Sequence, residues 1–318
     1  MSNQIRQGPI VVTGAAGFAG SYVVEALAGS AATVGWTHHA SPPVDIVSLA
    51  EWQRVDLLNP SEVRAAIARV KPSGVIHCAG APNVAHSWRD TVTPLSINIL
   101  ATHHLLDALR RTGTSCRVVV PSSATVYKPS MEVLREDSAL GPSNPYAVSK
   151  LAQEELSLRA AREDGVEVIV TRSFNHTGPR QTAAFAAPNM ARQIAMIEKG
   201  LAEPVIRVGN LDARRDFTDV RDMVRAYVTL LEEGTPSAVY NVSSGIARTM
   251  RSVLDALAAR SQVEVLIETD PALLRPSDTP LMLGDSTKLR SDTAWRAEIP
   301  FDRTLDDLLN YWRQVTTA

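Results

Sequence analysis

Ile10-Val11-Val12-Thr13-Gly14-Ala15-Ala16-Gly17-Phe18-Ala19-Gly20 is the stretch whose reading decides the fold. Its first four residues read as a short strand buried on both faces. The glycines that follow are spaced GxxGxxG and lead into a predicted helix. In such a turn Gly14 allows the tight bend, Gly17 lets the backbone approach a pyrophosphate, and Gly20 lets the helix pack against the strand. Phosphates then sit at the helix N-terminus, where free N–H groups and the helix dipole favour negative charge. Gly14, Gly17, Phe18, Ala19 and Gly20 are therefore expected to bind a dinucleotide. Small residues could also serve close packing alone, but the strand–turn–helix context favours the cofactor reading.

Outward from this turn, apolar runs recur at 33–36, 75–78, 117–121, 166–171 and Val239–Val242. Helical patterns lie between them at 61–70, 95–111 and 146–163. This alternation predicts an α/β fold, a Rossmann-type doubly wound parallel sheet. Beyond Thr171 the rhythm loosens. A loop at 173–187 precedes a helix to Gly200, a strand-like run Val205–Val208, a charged stretch at 211–217 and a proline-rich stretch at 270–280. These pieces are expected to form a smaller, discontinuous C-terminal substrate-binding domain from 173–216 and 246–318. Residues 1–172 and 217–245 would form the dinucleotide-binding domain.

The totals exclude several classes. With 318 residues and a formal net charge of −2, the chain has ample core but no excess of base for a nucleic-acid groove. Its two cysteines, Cys78 and Cys116, form no CxxC pair, so neither a disulfide framework nor a metal site is expected. No run of membrane-spanning or signal-peptide length is read, and the expected setting is cytoplasmic.

Further cofactor contacts follow from position. Asp56 and Leu57 come after the second βα unit, within reach of an adenine. Cys78, Ala79 and Gly80 end the next strand with the small residues that close contact needs. An acid after the second strand would bind the ribose 2′-hydroxyl. The sequence there is Trp36-Thr37-His38-His39. Thr37 and His38 are placed at that ribose, and histidines tolerate a 2′-phosphate, so NADP(H) is favoured, with NAD(H) as the alternative. Both histidines could equally be exposed loop residues.

Tyr146 and Lys150 are four residues apart on a predicted helix and share a face. The helix start is marked by Pro142-Ser143-Asn144-Pro145. Ser122 and Ser123 follow a strand at the sheet edge where the nicotinamide should lie. A carbonyl that receives hydride needs a proton, and a tyrosine can supply it when a nearby ammonium lowers its pKa. Ser123 can hydrogen-bond the same oxygen. Ser123, Tyr146 and Lys150 are the expected catalytic set, the last two also contacting the cofactor. His77 and Cys78 read as strand packing.

With TGAAGFAG, SSATVY, YAVSK, RSFNHTGPRQ, RRDFTDVRD, YNVSSG and RPSD, the chain resembles the extended short-chain dehydrogenase/reductase family over nearly its whole length. Within it the sequence is most similar to the GDP-4-dehydro-6-deoxymannose reductases, chiefly through residues 203–220. The resemblance implies a sugar-nucleotide substrate, GDP-linked before others. Asn175 would contact its phosphates or sugar, Arg215 and Arg275 its diphosphate, and Arg207 its ribose or base. Asn83, Ser87 and Ser123 would face the sugar, and Phe174 and His176 the nicotinamide. Any one of these arginines could instead be a solvated ion-pair partner, and His176 a loop hydrogen-bonding residue.

The related 4,6-dehydratases place an acid just after the catalytic hydroxyl. Here Thr125 stands there, and a threonine is a poor acid or base. The expectation is reduction of the C4 ketone of a nucleotide-linked 4-keto-6-deoxyhexose. A 4-epimerase with retained NAD is the alternative, since SSATVY also resembles the epimerases. A cofactor-binding protein without catalysis is the reading from another class. Lys128 departs from the glycine common in the family after the tyrosine, as does the acid-free second strand. Family members usually dimerise through two helices per subunit, here 95–111 and 146–163.

Overall fold

The structure is a computed structural model that describes residues 8–274 and 279–317. Its strands in chain order begin with β1 (Ile10–Thr13), β2 (Thr33–Thr37), β3 (Glu51–Arg54), β4 (Gly74–His77), β5 (Arg117–Ser123) and β6 (Glu167–Ser173). Then come β7 (Asn175–Thr177), β8 (Val205–Val208), β9 (Arg214–Asp219), β10 (Val239–Val242), β11 (Ala247–Thr249), β12 (Leu266–Thr269) and β13 (Leu281–Met282). Seven of them form a parallel sheet in the order β10-β6-β5-β4-β1-β2-β3. The chain leaves this sheet after β6 and returns to its edge at β10.

Successive strand residues face opposite sides, so β1 feeds two cores. Ile10 and Val12 pack with Val23, Leu27, Met223 and Tyr227 beneath helices Phe18–Leu27 and Val220–Glu233. Val11 packs with Ile67, Leu105 and Leu109 beneath helices Pro60–Val70 and Ala101–Thr112. Two helices begin alike. The Asn59 side-chain oxygen accepts from Ser61 and Glu62 N–H ahead of the helix that opens at Pro60, and the Asn144 side-chain oxygen accepts from Ala147 N–H ahead of the one that opens at Pro145.

Three segments differ from the sequence expectation. Glu51–Arg54 is a strand that the buried-run criterion misses, because β3 is a polar edge with no fully buried residue. The helix expected over 95–111 starts as a π-helix, Leu95–Leu100, before continuing as Ala101–Thr112. That wider turn holds Asn98 fully buried, its oxygen accepting from Ala81 N–H. The expected loop after Ser173 contains β7.

β9 centres a second sheet. β11 pairs with it antiparallel, and β7 and β13 pair with it in parallel. β8 and β12 pair separately. A third core, with Met190, Ile194, Ile206, Leu254, Leu257 and Leu308, lies beneath these strands. Among the described residues no helix is long and apolar enough to cross a membrane.

Candidate active site

Strand order reverses between β1 and β4, and open α/β sheets form their ligand crevice beyond the C-terminal ends of such strands. A cleft of about 780 Å³ opens there. It runs from the glycine turn past the ends of β4, β5 and β6 to β8, β9 and Leu273.

The turn at its head has little freedom. Gly14 has φ +63°, and a Cβ there would lie 2.8 Å from the Ala79 backbone. A Cβ on Gly20 would lie 2.2 Å from the Gly14 carbonyl oxygen. Gly17 differs: its Cβ would meet only that oxygen, at 3.1 Å, and otherwise fill the cleft. The first intrahelical bond runs from Ser21 N–H to Gly17 O, so the N–H groups of Phe18, Ala19 and Gly20 precede the ladder. This cradle fits a pyrophosphate.

Ser123 ends β5 and is nearly buried, and Tyr146 and Lys150 rise beside it on the helix Pro145–Glu163. Ser123 Oγ accepts from Thr125 Oγ1 at 2.9 Å and from Thr125 N–H at 3.2 Å, which leaves its proton free to donate. Lys150 Nζ donates to Pro121 O and to Gln153 Oε1, both at 2.5 Å. Burial pushes the Tyr146 phenol above its ordinary range, and the hydrogen bond with Ser123 pulls it back. Burial prevails, so the phenol stays raised and the expected lowering by Lys150 does not hold: only Ser123 opposes the rise, and the ammonium donates to Pro121 and Gln153. Burial depresses Lys150 itself to about 8. His77 sits behind the site, held neutral to about 3 by burial and by the Lys150 charge.

Most of the cofactor residues named from sequence line this cleft: the glycine turn from Gly14 to Gly20, Cys78 to Gly80, Tyr146, Lys150, Phe174 and His176. Phe174 is almost wholly buried against Tyr127, and His176 stacks on Phe18 with ring centroids 5.9 Å apart. Thr37, His38, Asp56 and Leu57 lie apart from the cleft lining. There His38 Nε2 is 3.9 Å from the Asp56 carboxylate, and Leu57 O is bound by His104. An acid thus reaches the end of β2 from the loop after β3, a neighbour visible only once β2 and β3 pair.

Of the substrate residues, Asn83, Ser123, Asn175, Arg207 and Arg215 also line the cleft. Arg207 is exposed, 3.9 Å from Glu268, and Arg215 donates to Thr279 O. Ser87 is not among the residues that line the cleft. It is buried, donates to Val84 O and accepts from Tyr146 N–H, which fastens the start of the catalytic helix. Arg275 lies outside the described residues. Lys128 is accommodated by Gly141, where a Cβ would come 2.9 Å from the lysine's own.

Sequence reasoning missed Arg89, Gln181, Asn189 and Asn210, which also line the cleft. Arg89 and Asn189 carry no motif, Gln181 and Asn210 lie in stretches that carry the resemblance without being singled out, and only the fold brings the four together. The cleft's charges are more telling. Among the described residues its lining holds Arg89, Lys150, Arg207 and Arg215 and no aspartate or glutamate. No group of three or more His, Cys, Asp or Glu among the described residues could hold a metal ion.

A family model described as GDP-mannose 4,6 dehydratase matches residues 11–308. The GDP-6-deoxy-D-mannose reductase of Pseudomonas aeruginosa is 38% identical over 306 residues, 95% of this chain and 96% of the relative. The structure of RMD from Pseudomonas aeruginosa complexed with NADPH superposes with a TM-score of 0.85 at 35% identity, covering 98% of this chain and 100% of the other. The Thermus thermophilus UDP-glucose 4-epimerase in complex with NAD superposes with a TM-score of 0.86 at 27% identity, over 97% of this chain and 100% of that one.

Proposed function

The chain belongs to the GDP-mannose 4,6-dehydratase family of extended short-chain dehydrogenases/reductases, and from that premise we propose that it reduces the C4 ketone of GDP-4-dehydro-6-deoxy-D-mannose to a GDP-6-deoxyhexose, rhamnose or 6-deoxytalose. It is an NAD(P)-dependent oxidoreductase acting on a sugar nucleotide. The observation that carries the finer reading is the cleft's lining, which among the described residues holds no carboxylate. A diphosphate suits described lining residues whose charged side chains are all cationic, and among them a dehydration that removes a proton and water finds no carboxylate to perform it. Thr125 stands at the dehydratases' acid position and is spent as a donor to Ser123.

The glycine cradle would hold the dinucleotide's pyrophosphate, and the dinucleotide when bound supplies the hydride. Ser123 donates to the substrate's carbonyl oxygen and holds it beside Tyr146, which delivers the proton. Lys150 supplies positive charge next to that transfer. Arg215 would grip the nucleotide diphosphate, Asn175 the phosphates or sugar, and Arg207 the ribose or base. NADP(H) is the proposed form. His38 and His39 follow β2, and the exposed Arg54 lies opposite Thr37 in the β2–β3 register, a basic set that supports a 2′-phosphate beside the Asp56 carboxylate near His38. The proposed division is residues 1–172 and 217–245 for the cofactor and 173–216 and 246–318 for the sugar nucleotide. The proposed dimer forms through the helices at 95–111 and 146–163, where Leu95, Leu100 and Val148 are exposed.

The test is purified protein with NADPH or NADH and GDP-4-dehydro-6-deoxy-D-mannose, read by nicotinamide absorbance and by NMR of the product. Coenzyme consumption with a 6-deoxyhexose product supports the reading. No consumption with any GDP- or dTDP-linked 4-keto-6-deoxy sugar overturns it. The 4-epimerase alternative, favoured by SSATVY, predicts tightly retained NAD and no net coenzyme turnover.

A further inference from the structure

Behind the catalytic helix runs a buried hydrogen-bond chain whose polarity the contacts determine completely. Thr102 Oγ1 spends its only proton on Asn98 O at 2.8 Å. It must therefore accept from both other partners, Gln153 Nε2 at 2.7 Å and His77 Nε2 at 3.0 Å. His77 then carries its proton on Nε2, and its Nδ1 accepts from Thr13 Oγ1 at 2.7 Å, which in turn accepts from Ala79 N–H. Gln153, Thr102 and His77 are fully or almost fully buried. With its NH2 committed to Thr102, the Gln153 amide has one orientation, and its Oε1 faces Lys150.

We propose that Gln153 is a positioning residue for Lys150: its amide, locked by Thr102 and His77, holds the lysine nitrogen against Pro121 O as a charged ammonium. This rests on the reading of Lys150 as the charge beside Tyr146. The groups around the lysine leave the amide a decisive part. From β4, His77 is neutral and the Cys78 thiol is pushed up to about 12 by burial, so neither carries charge at neutral pH. From its own helix, Tyr146 is a neutral phenol, and the Glu154 carboxylate, paired with Arg172 at 2.5 Å, favours the charged lysine without touching it. What directly meets the ammonium is the carbonyl of Pro121 and that of Gln153. A third donor remains for whatever enters the cleft.

The test uses Gln153→Met, which removes the acceptor at similar volume, and Gln153→Glu, which replaces it with a charge. The chain has five lysines, so 13Cε-labelled lysine gives few NMR signals, and Lys150→Arg assigns the one of interest. In the full chain without turnover, the Lys150 titration midpoint should fall by about one pH unit in Gln153→Met and rise in Gln153→Glu, since a hydrogen bond to a charged group is lost or strengthened. Thr102→Val should shift it down by less, because the amide is then free to turn. A merely structural Gln153 would lower the melting temperature and leave the midpoint in place, and an unmoved midpoint in both Gln153 variants overturns the proposal. A moved midpoint supports it. If the alkaline limb of kcat then stays fixed, the failure belongs to the role of Lys150 in proton transfer and not to Gln153.

Discussion

Thr125 Oγ1 donates to Ser123 Oγ at 2.9 Å, so the residue at the dehydratases' acid position serves the serine. With Thr125 donating through both its hydroxyl and its N–H, the Ser123 proton is left to donate on the Tyr146 side of the cleft, where the proposed reduction would use it. Thr125→Val removes one donor at nearly constant volume. We expect kcat to fall about tenfold, the worth of roughly one hydrogen bond, with cofactor affinity unchanged. Steady-state kinetics together with a fluorescence titration of the coenzyme checks both parts.

The glycine turn separates folding from binding. Gly20→Ala forces a Cβ to 2.2 Å from the Gly14 carbonyl oxygen, a backbone atom that cannot swing aside. This variant should lose several kcal/mol of stability, roughly the upper range for overpacking. Gly17→Ala meets only one atom, at 3.1 Å, and projects into the cleft. It should keep nearly the wild-type melting temperature and bind the dinucleotide at least about tenfold more weakly. Equal melting temperatures for the two variants would contradict this account.

His77 makes the fold acid-sensitive. Burial, then the Lys150 charge, keeps it neutral in the folded chain down to about 3, whereas an unfolded histidine takes up a proton below about 6.5. Between those values the unfolded state binds more protons, so stability falls as pH drops through that window, by roughly 5 kcal/mol in total. Urea unfolding at pH 8 and pH 5 should show the loss, and His77→Gln should reduce it. An identical pH dependence in the variant would refute the assignment.

Lys150 adds a dependence of the same sign in an alkaline window. Burial depresses its pKa from 10.5 to about 8, so the folded chain bears the cost of a buried ammonium below pH 8. As pH rises from about 8 to 10.5 the folded lysine releases its proton while the unfolded one retains it, and this cost is relieved. Lys150→Met never bears it. The stability difference between variant and wild type should therefore move in favour of the wild type over that window, by about 3 kcal/mol. Paired melting curves at neutral and alkaline pH measure the difference, and activity should be lost in the variant at every pH.

Much of this molecule can be read along the chain. β1 and β10 have the expected bounds, the other central strands differ by one or two residues, and the starts of the helices at Pro60 and Pro145 carry their asparagine–proline signals. Those features are local: a strand buried on both faces must be apolar throughout, a tight turn must be glycine, and a helix start needs a cap. β3 is illegible for the same reason, since an edge strand half in water has no such constraint.

What the sequence determined by itself was the parallel α/β frame and that Ser123, Tyr146 and Lys150 meet at one cleft with the glycine turn, because buried periodicity and backbone sterics act between near neighbours. The tertiary structure alone decided what surrounds those side chains. It turned the Lys150 ammonium to Gln153 and Pro121, gave Ser87 to the helix start, brought Asp56 beside His38, and left the cleft's described lining without a carboxylate. Each of these depends on residues far apart in the chain meeting at hydrogen-bond or ion-pair range, and spacing along the chain does not encode that range until the strands have paired.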